Sequence, residues 1–442
     1  MPRPAHDVAP PAEKAFLIAV DTGEDPGWTA EDSLAELASL AATAGAEVVG
    51  VEWQNRRHVD PNWYIGKGKA EELVAARSET GFDLLIADDE LSPAQQKSLE
   101  NLLKVKVIDR SRLILDIFAQ HARTHEGRLQ VELAQLEYQL PRLTRLWTHL
   151  SRTGGGIGTR GPGEAQLETD RRIIRERIRK MRERVEQVRQ QRATASRSRD
   201  RRLVPTVSIV GYTNAGKSSL LNALVGSEVV RAEDRLFATL DPTSRQVKLG
   251  EGQTVIVTDT VGFIHKLPHQ LVDAFRATLE EVTRADILLE VVDAADPHFP
   301  EHRVTVQTVL DELGAGDKPR VVAFNKADLL DRSARNGETP APIIAGAVLV
   351  SARTGYGIDA LKAEIAALLA SLWVEVDVAL PYTAGELLAR VRERGTVELE
   401  YRERDVRVHG RIAPSLAGEL EAAARAWAET LRELQAGTAT GS

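Results

Sequence analysis

The segment GYTNAGKS at positions 211–218 combines small residues with a lysine and a serine in the pattern G-x-x-x-x-G-K-[ST]. The apolar stretch TVSIV precedes it, and SSLLNALVG, which is typical of a helix, follows it. Amides of such a loop can surround phosphate, while Lys217 would reach the β- and γ-phosphates and Ser218 would bind Mg²⁺. The segment therefore predicts a nucleoside triphosphate site formed by Gly211, Tyr212, Thr213, Asn214, Ala215, Gly216, Lys217 and Ser218.

Three motifs follow downstream, one for the metal and γ-phosphate and two for the base, and each ends an apolar stretch, where doubly wound sheets bind ligands. DTVG would place the Asp259 carboxylate beside the metal and the Gly262 amide near the γ-phosphate. In NKAD, the Asp328 carboxylate can accept from both N1–H and the exocyclic amine of guanine, a donor pair that adenine lacks. SAR would complete the base pocket with a backbone amide. The order favours a guanine site over a generic ATPase site, with contributions from Asp259, Thr260, Val261, Gly262, Asn325, Lys326, Ala327, Asp328, Ser351, Ala352 and Arg353.

A candidate switch segment lies between the phosphate loop and DTVG. We expect the Thr239 hydroxyl to meet Mg²⁺ only when the γ-phosphate is present, with Thr243 as the alternative, so that hydrolysis releases the segment. Phe237, Ala238, Thr239, Leu240 and Asp241 are its predicted nucleotide-binding residues, and Lys217, Thr239 and Gly262 are the predicted catalytic residues.

The residue after DTVG is Phe263, where many GTPases have the glutamine that orients the attacking water. Since a phenyl ring cannot hydrogen-bond water, we expect slow intrinsic hydrolysis unless a partner or an ion completes the site. Asn214 suggests a monovalent cation such as K⁺ as that ion, because related GTPases with asparagine at this position can use one as a fixed charge.

Ahead of the phosphate loop, leucines recur at heptad spacing from Leu129 to Leu150, and a second such seam runs from Ile174 to Val188. The glycine-rich stretch 151–163 separates them, which predicts an antiparallel hairpin projecting roughly 30 Å, with a kink at Pro141. Residues 141–202 hold 18 Lys+Arg against 7 Asp+Glu. A solvated helical face or a solvent-facing loop would explain these features without function, but glycine beside arginine suits RNA phosphates and stacked bases. The candidate RNA contacts are Arg152, Gly154, Gly155, Gly156, Arg160, Arg171 and Arg172.

The elements around these motifs predict an α/β protein of several domains. A P-loop domain with a doubly wound, mostly parallel sheet at 203–372 follows a small α/β domain at 14–110 and the basic hairpin at 111–202, and precedes a small α+β module at 373–442. The turn GKGK at 66–69 is a weaker candidate for phosphate contact, since a helix start explains it as well.

The composition indicates a globular protein of the cytoplasm. The 442 residues include no cysteine, carry a net charge of −8 and are 43% hydrophobic, which excludes disulfides and thiolate metal sites. No apolar run approaches the roughly 20 residues of a membrane span, and the proline-rich start lacks the apolar core of a secretory signal.

Together, GYTNAGKS, FATLD, DTVGF, NKAD, SAR and GGGIGTRGPGEAQLETDRR resemble the HflX family of ribosome-associated GTPases. The nucleotide motifs alone would also fit Era- or Obg-like relatives, and the glycine-rich loop at 154–163 discriminates between them. The resemblance implies GTP hydrolysis with Mg²⁺ and docking on the large ribosomal subunit and its rRNA. It also implies that the GTP form splits stalled or idle ribosomes, and we expect a monomer. A GTPase that only checks subunit maturation and a signalling GTPase with a coiled-coil adaptor are the alternatives.

Overall fold

The computed structural model describes residues 12–24, 27–142, 162–200, 204–227, 236–250, 253–267, 279–330 and 346–439. Within them, three β-sheets follow one another along the chain, and a pair of long helices lies between the first two sheets. The α/β class and the mostly parallel central sheet that the sequence predicts are confirmed.

The first sheet is parallel and has the strand order β2-β1-β3-β4. Strand β1 is buried along most of its length because helices cover the sheet. The GKGK turn starts helix α2, where the Gly66 amide donates to Gln54 Oε1 at 2.8 Å and Lys69 pairs with Glu52 and Glu72. The elements are β1 (Lys14–Asp21), α1 (Ala30–Ala44), β2 (Glu47–Asn55), α2 (Lys67–Thr80), β3 (Leu84–Ala87), α3 (Pro93–Leu103), β4 (Lys106–Asp109) and α4 (Arg110–His121).

Helices α5 (His125–Arg142) and α6 (Pro162–Asp200) pack along the described part of the two predicted heptad seams, and positions 143–150 of the first seam lie outside the described residues. Leu129, Leu133 and Leu136 of α5 form one buried cluster with Ile178 and Met181 of α6. Pro141 lies in the last turn of α5. At the same end of the helix, Tyr138 and Arg142 hold α5 to the first sheet, since both donate to the Asp109 carboxylate, at 2.9 and 2.8 Å. The seams thus form an arm fixed to the first domain, which we call the helical arm.

The second sheet has the order β10-β9-β8-β5-β7-β6, and among its described strands only the edge strand β6 is antiparallel. Central strands β5 and β8 are buried on both faces, as expected for a doubly wound sheet. Its elements are β5 (Thr206–Gly211), α7 (Lys217–Val225), β6 (Thr243–Gly250), β7 (Gln253–Asp259), β8 (Ile287–Asp293), α8 (Phe299–Glu312), β9 (Arg320–Asn325), a 3₁₀ turn (Ala327–Leu329), β10 (Ala347–Leu349) and α9 (Ile358–Ser371).

The third sheet is antiparallel, with the order β11-β13-β12. A tight turn around Arg404–Asp405 joins β12 to β13, and the Arg402 amide donates to the Asp405 carbonyl at 2.8 Å. This module consists of β11 (Val374–Leu380), a 3₁₀ turn (Tyr382–Ala384), α10 (Gly385–Arg394), β12 (Thr396–Tyr401), β13 (Val406–Ile412) and α11 (Pro414–Ala439).

The hydrophobic core does not stop at the predicted boundary between residues 110 and 111. One cluster joins Leu17 of the first sheet, Phe118 of α4, Val131 of α5, and Phe237 and Leu288 of the second domain. Helix α4, which begins at Arg110, therefore packs against the first sheet and against α5 of the arm, and the exact domain limits stay a prediction. None of the helices in the described part of the chain is both long and apolar enough to span a membrane.

Candidate nucleotide-binding site

A cleft of about 390 Å³ opens at the carboxyl ends of the strands of the second sheet. It collects residues from all five nucleotide motifs, which lie far apart in sequence. The predicted residues that line it are Thr213, Asn214, Gly216, Lys217, Ser218, Phe237, Ala238, Thr239, Thr260, Gly262, Asn325, Lys326, Asp328, Ala352 and Arg353. Ser219 and Leu329 also line it, although sequence analysis did not select them because each lies one position beyond a motif.

The phosphate loop reaches this cleft through backbone conformations that small residues allow. Gly216 has φ +88°, and a Cβ there would lie 2.3 Å from Asn325 Nδ2. Asn214, at φ 59°, also adopts the left-handed region. Gly216 is the N-cap of α7, so the first amides of that helix face the cleft, where an anion would be stabilised.

Lys217 is buried, and its Nζ donates to the Tyr212 carbonyl at 2.6 Å. Burial lowers the pKa of Lys217 to about 8, an effect that the Asp259 charge partly opposes. Gly262 lies directly against this ammonium group, because a Cβ on Gly262 would be 2.8 Å from Lys217 Nζ. An anion in the cleft would stabilise the charged form of Lys217, which burial disfavours.

Three oxygen-bearing side chains meet beside the phosphate loop. The Ser218 hydroxyl lies 2.8 Å from the Thr239 hydroxyl and donates to Asp259 Oδ2 at 2.6 Å. Burial raises the pKa of Asp259, and the bonds from Ser218 and Thr239 oppose that effect. Among the described residues, Asp259 Oδ1 is buried without a hydrogen-bond partner. Hard oxygen ligands around an unsatisfied carboxylate fit Mg²⁺. Thr243, the alternative to Thr239, begins β6 and does not line the cleft.

At the other end of the cleft, Asn325 supports the loops that would enclose the base. Its Nδ2 donates to the Ala215 carbonyl at 2.9 Å, and its Oδ1 accepts from the Ala352 amide at 3.0 Å. Asp328 is held by Ser351, whose hydroxyl donates to Asp328 Oδ1 at 2.7 Å. The NKAD and SAR motifs therefore form one hydrogen-bonded unit with the phosphate loop.

Other predicted residues lie behind the cleft. Leu240 and Val261 are buried in the core cluster, and the Tyr212 hydroxyl donates to Glu36 of the first domain. Gly211, Ala215, Asp259, Ala327 and Ser351 lie in strands or turns that support the cleft, and Asp241 contacts residues 123–124.

Phe263 also points away from the cleft. Its side chain is 0% exposed and belongs to the core cluster. Its backbone pairs with the phosphate loop, since its amide donates to the Gly211 carbonyl at 3.1 Å and its carbonyl accepts from the Thr213 amide at 2.7 Å. The phenyl ring therefore anchors the DTVGF segment and does not line the cleft.

Of the candidate RNA contacts, only Arg171 and Arg172 fall within the described residues, and both lie on α6, with Arg172 exposed. Arg152, Gly154, Gly155, Gly156 and Arg160 lie outside the described residues. The exposed face of α6 also carries Arg175, Arg179 and Arg184.

Comparison with known proteins extends the similarity over nearly the whole chain. Three family models match, described as GTP-binding GTPase N-terminal at residues 31–119, GTP-binding GTPase Middle Region at 121–199 and 50S ribosome-binding GTPase at 206–326. The chain is 46% identical over 409 residues to GTPase HflX of Caldanaerobacter subterraneus, covering 92% of each. It is 44% identical over 393 residues to GTPase HflX of Escherichia coli, covering 89% of this chain and 91% of that one.

Among solved structures, a GTP-binding protein from Sulfolobus solfataricus in complex with GDP is 25% identical, with a TM-score of 0.41. The match covers 80% of this chain and 98% of that chain.

Proposed function

Because the chain belongs to the HflX family of GTPases, we propose that it binds the large ribosomal subunit and, in its GTP-bound state, separates stalled or idle ribosomes into subunits. Hydrolysis of GTP to GDP and phosphate would reset the cycle. One observation carries the proposal: a guanine nucleotide cleft shares a continuous core with a helical arm whose exposed face is rich in arginine. A monomer in the cytoplasm, partly bound to ribosomes, is the form that we expect.

The arm supplies the chemistry for RNA binding. The apolar side of α6 packs on α5, which leaves Arg172, Arg175 and Arg179 exposed to a polyanion. Arginines on one helical face can bind phosphates and stack on unpaired bases. We propose that the glycine-rich tip at 151–163, with Arg152 and Arg160, makes the deepest contact with rRNA.

The nucleotide cleft would control when the protein splits ribosomes. Lys217 and the α7 amides would bind the β- and γ-phosphates, and Ser218 and Thr239 would hold Mg²⁺, which neutralises phosphate charge when bound. We propose Lys217, Thr239 and Gly262 as the catalytic residues, because all three line the cleft and Gly262 lies directly against the Lys217 ammonium group. The GTP state can drive splitting only as far as it binds the separated subunit better than the GDP state does.

Gradient sedimentation tests the proposal. Intact ribosomes mixed with the protein and a non-hydrolysable GTP analogue should shift toward free subunits, whereas the GDP form should leave them intact. Deletion of Gly154–Gly163 should retain nucleotide binding and lose the shift. An unchanged subunit fraction with the wild-type protein contradicts splitting. Binding to the large subunit without dissociation would favour the maturation role.

We propose K⁺ as the ion that completes the hydrolytic site, because Phe263 is buried and Asn214 is exposed at the rim of the cleft. GTP turnover should be faster in K⁺ than in Na⁺ at equal ionic strength, since a cation at Asn214 would stabilise phosphate charge in the transition state. Asn214→Ala should remove that difference. Equal turnover of the wild-type protein in both salts contradicts the proposal.

A further inference from the structure

A short segment at 236–241 lies between the nucleotide cleft and the helical arm. Its Thr239 hydroxyl faces the cleft, 2.8 Å from that of Ser218. Two residues later, the Asp241 carboxylate points the other way and meets the chain just before α5, about 117 positions earlier in sequence. The same segment therefore touches both the cleft, beside Ser218, and the base of the arm.

The contact at Asp241 uses both carboxylate oxygens. Oδ2 accepts from the amides of Arg123 and Thr124 at 2.9 and 2.8 Å, and Oδ1 accepts from the Thr124 hydroxyl. That hydroxyl in turn accepts from the Gly127 amide at 3.0 Å, as an N-cap of α5 does. Asp241 thus binds the residue that starts the first helix of the arm.

Two buried side chains hold the segment on either side of Thr239. Phe237 is 3% exposed and packs edge-on against Phe118 of α4, with ring centroids 4.7 Å apart. Leu240 is 1% exposed and belongs to the cluster that contains Val131 of α5. Phe237 also has φ +57°, which is unfavourable for an aromatic residue, so its packing must hold it there.

We infer that Asp241 is a positioning residue that couples the nucleotide state of the cleft to the base of the helical arm. With Mg²⁺ and a γ-phosphate present, Thr239 is held in the cleft and Asp241 stays on Thr124. Loss of the γ-phosphate frees Thr239, and the three donors at the start of α5 lose their acceptor. The inference deepens the proposed function and rests on it only in naming RNA as what the arm holds.

Coupling of this kind is reciprocal. If GTP favours the Asp241 contact over GDP by some factor, the contact must favour the binding of a GTP analogue over GDP by that same factor. Removing the contact should therefore lower the ratio of the two affinities by that factor. Conversely, a partner that holds α5 in this orientation favours the GTP state.

Hydrogen exchange of the full-length chain at saturating nucleotide tests the coupling without any ribosome. Arg123 and Thr124 are exposed, and Asp241 is the acceptor for both amides. Since charge-assisted hydrogen bonds are strong, these amides should exchange about tenfold or more slowly with a GTP analogue and Mg²⁺ than with GDP.

Two variants remove the contact from opposite sides. Asp241→Asn replaces an acceptor oxygen with a donor, and Gly127→Ala places a Cβ 2.5 Å from Asp241 Oδ1. Alanine also favours the helix at that position, so loss of α5 would not explain its effect. In both variants, the amides of Arg123 and Thr124 should exchange equally fast in the two nucleotide states. The ratio of GTP-analogue affinity to GDP affinity should fall by about tenfold.

Asp286→Asn is the matched control, because Asp286 accepts from the amide and hydroxyl of Thr206 at 2.7 and 2.9 Å, away from the cleft. It should keep the difference between nucleotide states. The inference is overturned if the wild-type amides exchange alike in both states, or if the difference survives in Asp241→Asn and Gly127→Ala. Failure of the sedimentation experiment with an intact exchange difference would instead reject ribosome splitting and leave the coupling standing.

Discussion

At the scale of single residues, recognition of the base depends on the Asp328 carboxylate. Asp328→Asn should weaken GTP binding about tenfold to a hundredfold, because a hydrogen bond to a charged group contributes about 1.5–3 kcal/mol. In addition, the asparagine NH₂ group would face an N–H donor of guanine, with which it cannot form a hydrogen bond. Xanthine has a carbonyl where guanine has its exocyclic amine, so the variant should bind xanthosine triphosphate better than the wild-type protein does. Fluorescence titration with both nucleotides measures the change in preference from guanosine triphosphate to xanthosine triphosphate. Equal weakening for both would mean that Asp328 does not face the base.

Lys217 makes nucleotide binding depend on pH. Its pKa is about 8 because of burial, and the negative charge of bound phosphates would raise that pKa again. Near pH 9 the free protein therefore holds mostly neutral Lys217, and nucleotide binding should take up a proton, as linkage requires when the bound state has the higher pKa. Calorimetry in buffers of different ionisation enthalpy measures the uptake. Lys217→Arg, which stays charged, should show none, and absence of uptake by the wild-type protein would contradict the prediction.

At the scale of elements, the sequence shows the parts whose signals are local. The heptad leucines predict the α5–α6 seam, because a helical period places their side chains on one face. The nucleotide motifs predict the cleft, because each ends a strand of one sheet. Nothing local distinguishes Phe263, whose ring lies in a core shared by both domains, or Asp241, whose partners lie 117 and 118 positions away. Because Gly262 and Thr239, which lie close to them in sequence, line the cleft, spacing alone places Phe263 and Asp241 at the nucleotide site.

The seam of the arm gives a prediction that separates its stability from nucleotide binding. Ile178 is 6% exposed in the α5–α6 cluster, so Ile178→Ala should cost about 2–4 kcal/mol in the local stability of the arm. Ile173, on the same helix, is 55% exposed, and Ile173→Ala should change little. Native-state hydrogen exchange of α5 and α6 measures both. GTP binding should be unchanged in either variant, and equal losses at the two positions would contradict the packing described here.

At the scale of the whole molecule, buried charges join the first domain to the GTPase domain. Asp88 is fully buried and accepts from Ser33, from Arg110 at 2.8 Å and from Lys266 at 2.6 Å. Arg110 is itself buried, and burial lowers its pKa to about 10. Lys266 comes from the segment after DTVGF, so the pair crosses the domain interface. The sequence does not reveal this cluster, because charged residues are usually exposed, and because Asp88 and Lys266 lie 178 positions apart.

The cluster should be sensitive to loss of a single member. Asp88→Ala leaves the Arg110 guanidinium buried with one carboxylate fewer, and breaking a buried pair in this way costs about 3–5 kcal/mol. Glu13→Ala is the control, since Glu13 pairs with Lys106 where both side chains are more than half exposed, and such a pair contributes about 0–1 kcal/mol. Exchange of the β3 amides gives the local free energy of opening without assuming that a chain of several domains unfolds in one step. If Asp88→Ala opened no more readily than Glu13→Ala, the two domains would be held together by their apolar contacts, and the buried charges would contribute only to how the domains align.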